Sequence, residues 1–274
     1  MKVKRILSTL AALMATAMIF TGCGEDNGGS TSQQAKSLKI GATPVPHAEI
    51  LEEIKPTLKE EGIDLEIVEF SDYVQPNIAL NDKELDANFF QHEPYLNDFV
   101  TEHKEMKLKN AGGIHIEPMG IYSKKITKLD ELTNGASIAI PNDPTNGGRA
   151  LMLLEKAGLL KLKDGVKETA TVQDVAENPK NLKFQEVEAA QVPRTLEDVD
   201  AAVINTNYAM QINLVPTKDA LFMEDSTSPY VNIVAVREGD ENRPEIQSLM
   251  KALKSDKVKK FIEDKYKGAI VPAF

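Results

Sequence analysis

Residues 136–158 read ASIAIPNDPTNGGRALMLLEKAG. The uncharged run 136–140 has the length and composition of a buried strand. A polar segment follows, Pro141-Asn142-Asp143-Pro144-Thr145-Asn146-Gly147-Gly148-Arg149, and joins the strand to a helix over 150–157, which Gly158 closes. Strand, polar turn and helix together make one α/β unit. The same alternation extends in both directions. Upstream, 38–43 reads as a strand. Ile50, Leu51, Ile54 and Leu58 recur at helical spacing, Gly62 suits the stop, and Pro56 should kink that helix. Strands are expected at 65–70 and 87–90. Helices are expected at 73–80, with Pro76 near the first turn, and at 94–103. Downstream, 182–187 and 199–204 read as strands, and 231–236 is apolar enough to be buried on both faces. Pro244 opens a helix with Ile246, Leu249, Met250 and Leu253 on one face. Val258, Phe261, Ile262 and Tyr266 form the inward stripe of a last helix. The expectation is an α/β protein with a largely parallel sheet and two open lobes. A ligand would sit between the lobes, where strand ends meet a switch in topology.

The start of the chain has a different character. Lys2, Lys4 and Arg5 precede an apolar run over 6–20, then Thr21-Gly22-Cys23. That run is shorter than the roughly 20 apolar residues a membrane span needs, and the pattern fits an export signal. Cys23 is the only cysteine in the chain, so it has no internal disulfide partner. Residues 24–37, GEDNGGSTSQQAKS, read as a flexible tether. About 237 residues then remain, enough for one large domain or two lobes. The net charge is −10, and loss of the signal's three cations takes the rest to about −13. An acidic body argues against nucleic acid as a partner and against electrostatic docking on anionic lipid.

Three constellations could carry chemistry. Six of the fifteen aromatic residues lie at 70–99, namely Phe70, Tyr73, Phe89, Phe90, Tyr95 and Phe99, with His92 among them. They could be plain core, or they could line an apolar slot that suits a thioether. Arg149 stands near the N-terminus of its expected helix, where a cation is disfavoured by about 0.3–1 kcal/mol. It is either solvated or the clamp for a bound carboxylate. Asn205, Asn207 and Asn232 stand at the ends of apolar strands, where they either cap turns or hold the two poles of a zwitterion. The histidines His47, His92, His103 and His115 have no metal-binding spacing. No nucleophile elbow, P-loop or dinucleotide fingerprint is present, so no enzyme activity is expected.

The segments 86–92 (DANFFQH), 140–146 (IPNDPTN), 202–208 (AVINTNY), 228–232 (SPYVN) and 268–274 (GAIVPAF) resemble, in this order, the methionine-binding lipoproteins of bacterial ABC importers. Phe20-Thr21-Gly22-Cys23 resembles the lipobox of such proteins, with Phe20 where Leu is usual. The resemblance implies a two-lobed periplasmic-binding-protein fold of type II-like form. Its parts would be a signal over 1–22, a lipidated Cys23 with a tether over 23–37, a first lobe over 38–118 plus 231–274, and a second over 119–230. It implies that Tyr73, Phe89, Phe90, His92 and Tyr95 surround the ligand side chain and that His115 lies near a crossover. Arg149 would hold the carboxylate, and Asn207, Asn232 and Asn205 would bind the amino and carboxylate groups. The implied partners are methionine, an ABC permease and its ATPase. The implied state is a monomer on the outer face of the cytoplasmic membrane, held only by its lipid, with no cofactor and no metal. The same scaffold could instead take D-methionine or a methionine-containing dipeptide, or capture a metal through His92 and His115.

Overall fold

The computed structural model describes residues 36–166, 168–225 and 227–274. The export signal, Cys23 and residues 24–35 of the expected tether lie outside them. The tether reading ran two residues too far. Lys36 and Ser37 already belong to the first strand, β1 (Lys36–Ala42), and pair with Ile63 and Asp64. Leu38, Ile40 and Ala42 alternate along β1 and are fully buried, the period-two pattern of a strand.

The chain then runs through α1 (Glu49–Glu60), β2 (Ile63–Glu69), α2 (Gln75–Asn81), β3 (Ala87–His92), α3 (Glu93–Glu102) and β4 (Leu108–Ile116). Strand β1 lies parallel to both β2 and β3, and α1 and α2 supply the crossovers that parallel neighbours require. The helix α1 continues through Pro56 and turns Ile50, Leu51, Ile54 and Leu58 into the core. Full burial of each such side chain contributes about 1.5–3 kcal/mol. Gly62, at φ +78°, reverses the chain after it.

Next come β5 (Gly120–Tyr122), β6 (Ser137–Pro141) and α4 (Pro144–Lys156), the unit that residues 136–158 encode. Gly158, at φ +74°, ends α4 as expected. A small ribbon of β7 (Lys161–Leu162) and β8 (Val175–Glu177) follows. Then come β9 (Lys183–Val187), β10 (Ala201–Ile204), α5 (Thr206–Gln211), α6 (Pro216–Asp219) and β11 (Phe222–Met223). The chain finishes with β12 (Val231–Arg237), α7 (Pro244–Leu253), α8 (Asp256–Tyr266) and β13 (Val271–Pro272).

These strands make two large sheets, one per lobe. The first has the order β13-β4-β12-β3-β1-β2 and the second β11-β5-β10-β6-β9. Each has its own apolar core, the first around Leu51, Phe89 and Leu249, the second around Ile138, Leu151 and Val203. Neither sheet is as parallel as expected. Strand β12 runs antiparallel to both β3 and β4, and β5 runs antiparallel to β10 and β11. The cause lies in the connections. Strand β12 returns from the second sheet rather than over a covering helix, so no parallel crossover constrains its direction. The chain passes between sheets at 117–119 and again between β11 and β12.

Candidate functional site

Strand β3 delivers side chains to two places. Phe89 is fully buried in the first lobe's core, edge-on to the His47 ring at 4.7 Å. Phe90, one residue on, points to the opposite face and joins Tyr95 and Phe99 beside Tyr73. Phe90, Tyr73, Tyr95 and His92 line a cavity between the lobes, whereas Phe89 does not. Phe89 as a ligand contact is therefore corrected to a core residue. A strand's period of two assigns neighbours to opposite faces, but sequence alone does not say which face meets the cleft.

His92 caps α3. Its Nδ1 accepts the Tyr95 backbone N–H at 3.1 Å, so Nε2 carries the proton and donates to Asn146 Oδ1 at 3.1 Å. Burial, aided by the Arg149 charge, lowers the His92 pKa to about 3 and keeps the ring neutral. Both His92 nitrogens are occupied, so His92 and His115 do not form a metal pair. Among the described residues, the groups within reach of a shared ion are His47, His115 and Glu117, with ligand atoms inside 4.8 Å of one another. Hydrogen bonding accounts for that cluster. Glu117 Oε1 accepts from His115 Nε2 at 2.8 Å and lies 3.2 Å from His47 Nε2.

The second lobe contributes the turn into α4. Asp143 is the cap, and its Oδ1 accepts the Asn146 N–H at 2.9 Å. The same oxygen accepts from Asn146 Nδ2 at 2.9 Å, which turns Asn146 Oδ1 into the cleft. There Asn146 Oδ1 accepts from both His92 Nε2 and Asn205 Nδ2, the latter at 2.7 Å. Gly147 and Gly148 lie against neighbouring backbone. A Cβ on Gly147 would meet Pro141 O at 2.8 Å, and one on Gly148 would meet Glu168 O at 2.1 Å, so both admit protein backbone.

Arg149 is buried and lines the cavity, and it already has a partner. Its Nε donates to Glu224 Oε1 at 2.8 Å, and its Nη2 to Glu224 Oε2 at 2.5 Å and to the Glu117 carbonyl at 2.8 Å. The Tyr230 ring lies 4.2 Å beneath the guanidinium. Nη1 is the guanidinium nitrogen with no partner among the described residues.

The cavity is lined by residues from both lobes. Asn205, Asn207 and Asn232 all line it, together with Gln91, Glu117, Asn146 and Thr206, which sequence reasoning missed. Two orphaned atoms define its polar end. Tyr73 Oη donates to Asn207 Oδ1 at 2.5 Å, which fixes that amide and leaves its Nδ2 a buried donor without an acceptor. Asn205 Nδ2 is spent on Asn146, which leaves Asn205 Oδ1 a buried acceptor without a donor. Buried polar groups normally find partners, so an unpaired donor and an unpaired acceptor in one cavity mark places for a ligand. Glu117 adds a carboxylate. Its Oε2 accepts the Asn207 N–H at 3.1 Å, and burial raises its pKa against the opposing pull of His47 and Arg149. His115 does not line the cavity. It sits behind Glu117, with Nε2 on that carboxylate and Nδ1 bare. Three contacts tie the lobes across the cleft: Tyr73 to Asn207, His92 to Asn146, and Tyr208 Oη to the Ser71 carbonyl at 3.2 Å.

Comparison with known proteins gives concordant matches. Residues 38–274 match the NlpA lipoprotein family. The chain is 45% identical over 266 residues to the methionine-binding lipoprotein MetQ of Bacillus subtilis (strain 168), spanning 96% of each chain. It is 43% identical over 268 residues to the D-methionine-binding lipoprotein MetQ of Escherichia coli (strain K12), spanning 96% of this chain and 97% of that one. Among solved structures, a nutrient binding protein from Burkholderia cenocepacia bound to methionine superposes with a TM-score of 0.83. It is 49% identical, and the match covers 86% of this chain and all of that one.

Proposed function

Since the chain belongs to the NlpA lipoprotein family, we propose that it is a lipid-anchored, extracytoplasmic solute-binding protein that captures methionine, the L form first, for an ABC importer. The observation that carries this reading is the cavity's polarity. One end is aromatic, with Tyr73, Phe90 and Tyr95. The other holds Arg149, Glu117 and the orphaned amide atoms of Asn205 and Asn207. A methionine zwitterion answers each of these features. Its thioether suits aromatic faces and edges, at roughly 0.3–1.5 kcal/mol per contact. Its carboxylate goes to Arg149 Nη1 and Asn207 Nδ2. Its ammonium goes to Asn205 Oδ1 and the Glu117 carboxylate, with Asn232 beside them.

The mechanism is binding without bond making or breaking. Ligand contacts to both lobes favour the closed form, with 117–119 and the connection between β11 and β12 as the hinge. A diacylated Cys23 would hold the protein, as a monomer, to the outer face of the cytoplasmic membrane. Delivery would be to a permease driven by an ATPase. Because the E. coli relative's name specifies D-methionine, both enantiomers belong in the test. Arg149→Ala removes the only cation among the described residues that line the cavity. It should weaken L-methionine binding at least tenfold by calorimetry, and unchanged affinity would remove Arg149 from the site.

A further inference from the structure

Glu224 lies outside the cavity lining, yet it bonds to Arg149 and to both segments between the lobes. Its two carboxylate oxygens take Nε and Nη2 of Arg149 in a bidentate pair. Its Oε2 also accepts the Met119 backbone N–H at 3.0 Å, in the first segment between the lobes. The Ser228 hydroxyl, in the second, is 3.4 Å from the same oxygen. Arg149 in turn donates to the Glu117 carbonyl, also in the first segment. The pair is well buried, with Arg149 side-chain exposure at 2% and Glu224 at 13%.

We propose that Glu224 is a specificity-setting positioning residue, which compensates the Arg149 charge and so limits how strongly the site prefers a carboxylate. This inference rests on the reading of Arg149 as the carboxylate subsite. The physical ground is competition for one cation. Removal of one member of a buried ion pair leaves the other charge uncompensated in a poorly solvated place. In the ligand-free protein only the more distant Glu117 carboxylate is left to Arg149, whereas in the complex the ligand carboxylate takes the place of the lost anion. The stabilisation Glu224 supplied to Arg149 is then recovered only by an anionic ligand, and it appears as added affinity for that ligand. The bidentate geometry gives Glu224 a second role. It fixes the guanidinium plane and leaves Nη1 for the ligand.

The test compares L-methionine with L-methionine amide, which keeps the side chain and amino group but lacks the anionic carboxylate. Calorimetric affinities are measured for the unaltered protein and for Glu224→Gln, at one pH and ionic strength. Differences in the two ligands' amino groups cancel when the preference ratios are compared. The methionine-over-amide ratio is expected to rise about tenfold in Glu224→Gln. A purely structural role for Glu224 would weaken both ligands alike and leave the ratio unmoved. Glu224→Asp keeps the charge but is one methylene too short to hold both Arg149 nitrogens. It should raise the ratio by a smaller factor, and it serves as the test if Glu224→Gln does not fold. An unchanged or lowered ratio in a folded variant overturns the proposal. If the unaltered protein itself shows no preference for methionine over its amide, the carboxylate reading of Arg149 fails instead.

Discussion

Three imidazoles, His47, His92 and His115, are buried and neutral, with pKa values lowered to about 4, 3 and 3, chiefly by burial. An unfolded histidine titrates near 6.5. Between that value and the folded ones, the unfolded chain binds more protons than the folded one. The stability associated with these residues is therefore complete above about pH 6.5 and is lost as pH falls toward 4 and 3. Glu117 and Asp143 act in the opposite direction, because burial raises their pKa values. Their contribution is present in acid and is lost as pH rises through the folded pKa. The histidines number three, so thermal unfolding should show a falling midpoint from about pH 6.5 downward. His115→Asn should flatten that slope, and an equal slope would contradict this account. At this scale the sequence marked most of the site. Arg149 stands out in the sequence as a cation beside an expected helix start, although α4 begins at Pro144 and puts it in the second turn, and the strand-end asparagines stand out as polar residues after apolar runs. Glu117 and Glu224 carried no such mark. They are two acids in a chain with 42 Asp and Glu residues, and only the fold brings them to Arg149.

The turn from β6 into α4 is the element on which the second half of the site depends. Its two glycines are set by backbone, since residues 168–170 pass against Gly148 and Pro141 O lies against Gly147. Gly148→Ala should therefore cost about 1–3 kcal/mol or more, the range for overpacking a tight contact. The added methyl would also push α4 away and carry Arg149 with it, so weaker methionine binding should accompany the loss in thermal stability. A variant of normal stability and affinity would show that the neighbouring segment yields freely. Helical periodicity located α1, α4, α7 and α8 because each has one apolar face. The short, half-buried strands were harder. Strand β4 over Leu108–Ile116 contains Lys109, Asn110 and two glycines, so its apolar pattern is weak, and it was not foreseen. Nor was the direction of β12, since an apolar run reports burial and not orientation.

At the scale of the whole molecule, two sheets with separate cores face each other across a cavity that both must line. Tyr73, His92 and Ser71 come from one side, and Asn207, Asn146 and Tyr208 from the other. Two of these bonds, Tyr73 to Asn207 and His92 to Asn146, join residues that line the cavity, so closure and the shaping of the site are coupled. Alternation of strands and helices made the α/β class legible, and the order of separate motifs made two lobes legible. The parallel character of the sheets was overestimated because connections through the hinge leave no trace in local periodicity. Among the described residues no helix is long and apolar enough to cross a membrane. The central claim is that this cleft closes on one methionine. Isothermal titration of the ligand-free protein with L-methionine tests it most directly. The expected result is saturable binding at one ligand per chain, with a dissociation constant in the micromolar range or below. No saturable binding of L-methionine at millimolar concentration, in protein shown to be folded and free of retained ligand, would contradict it.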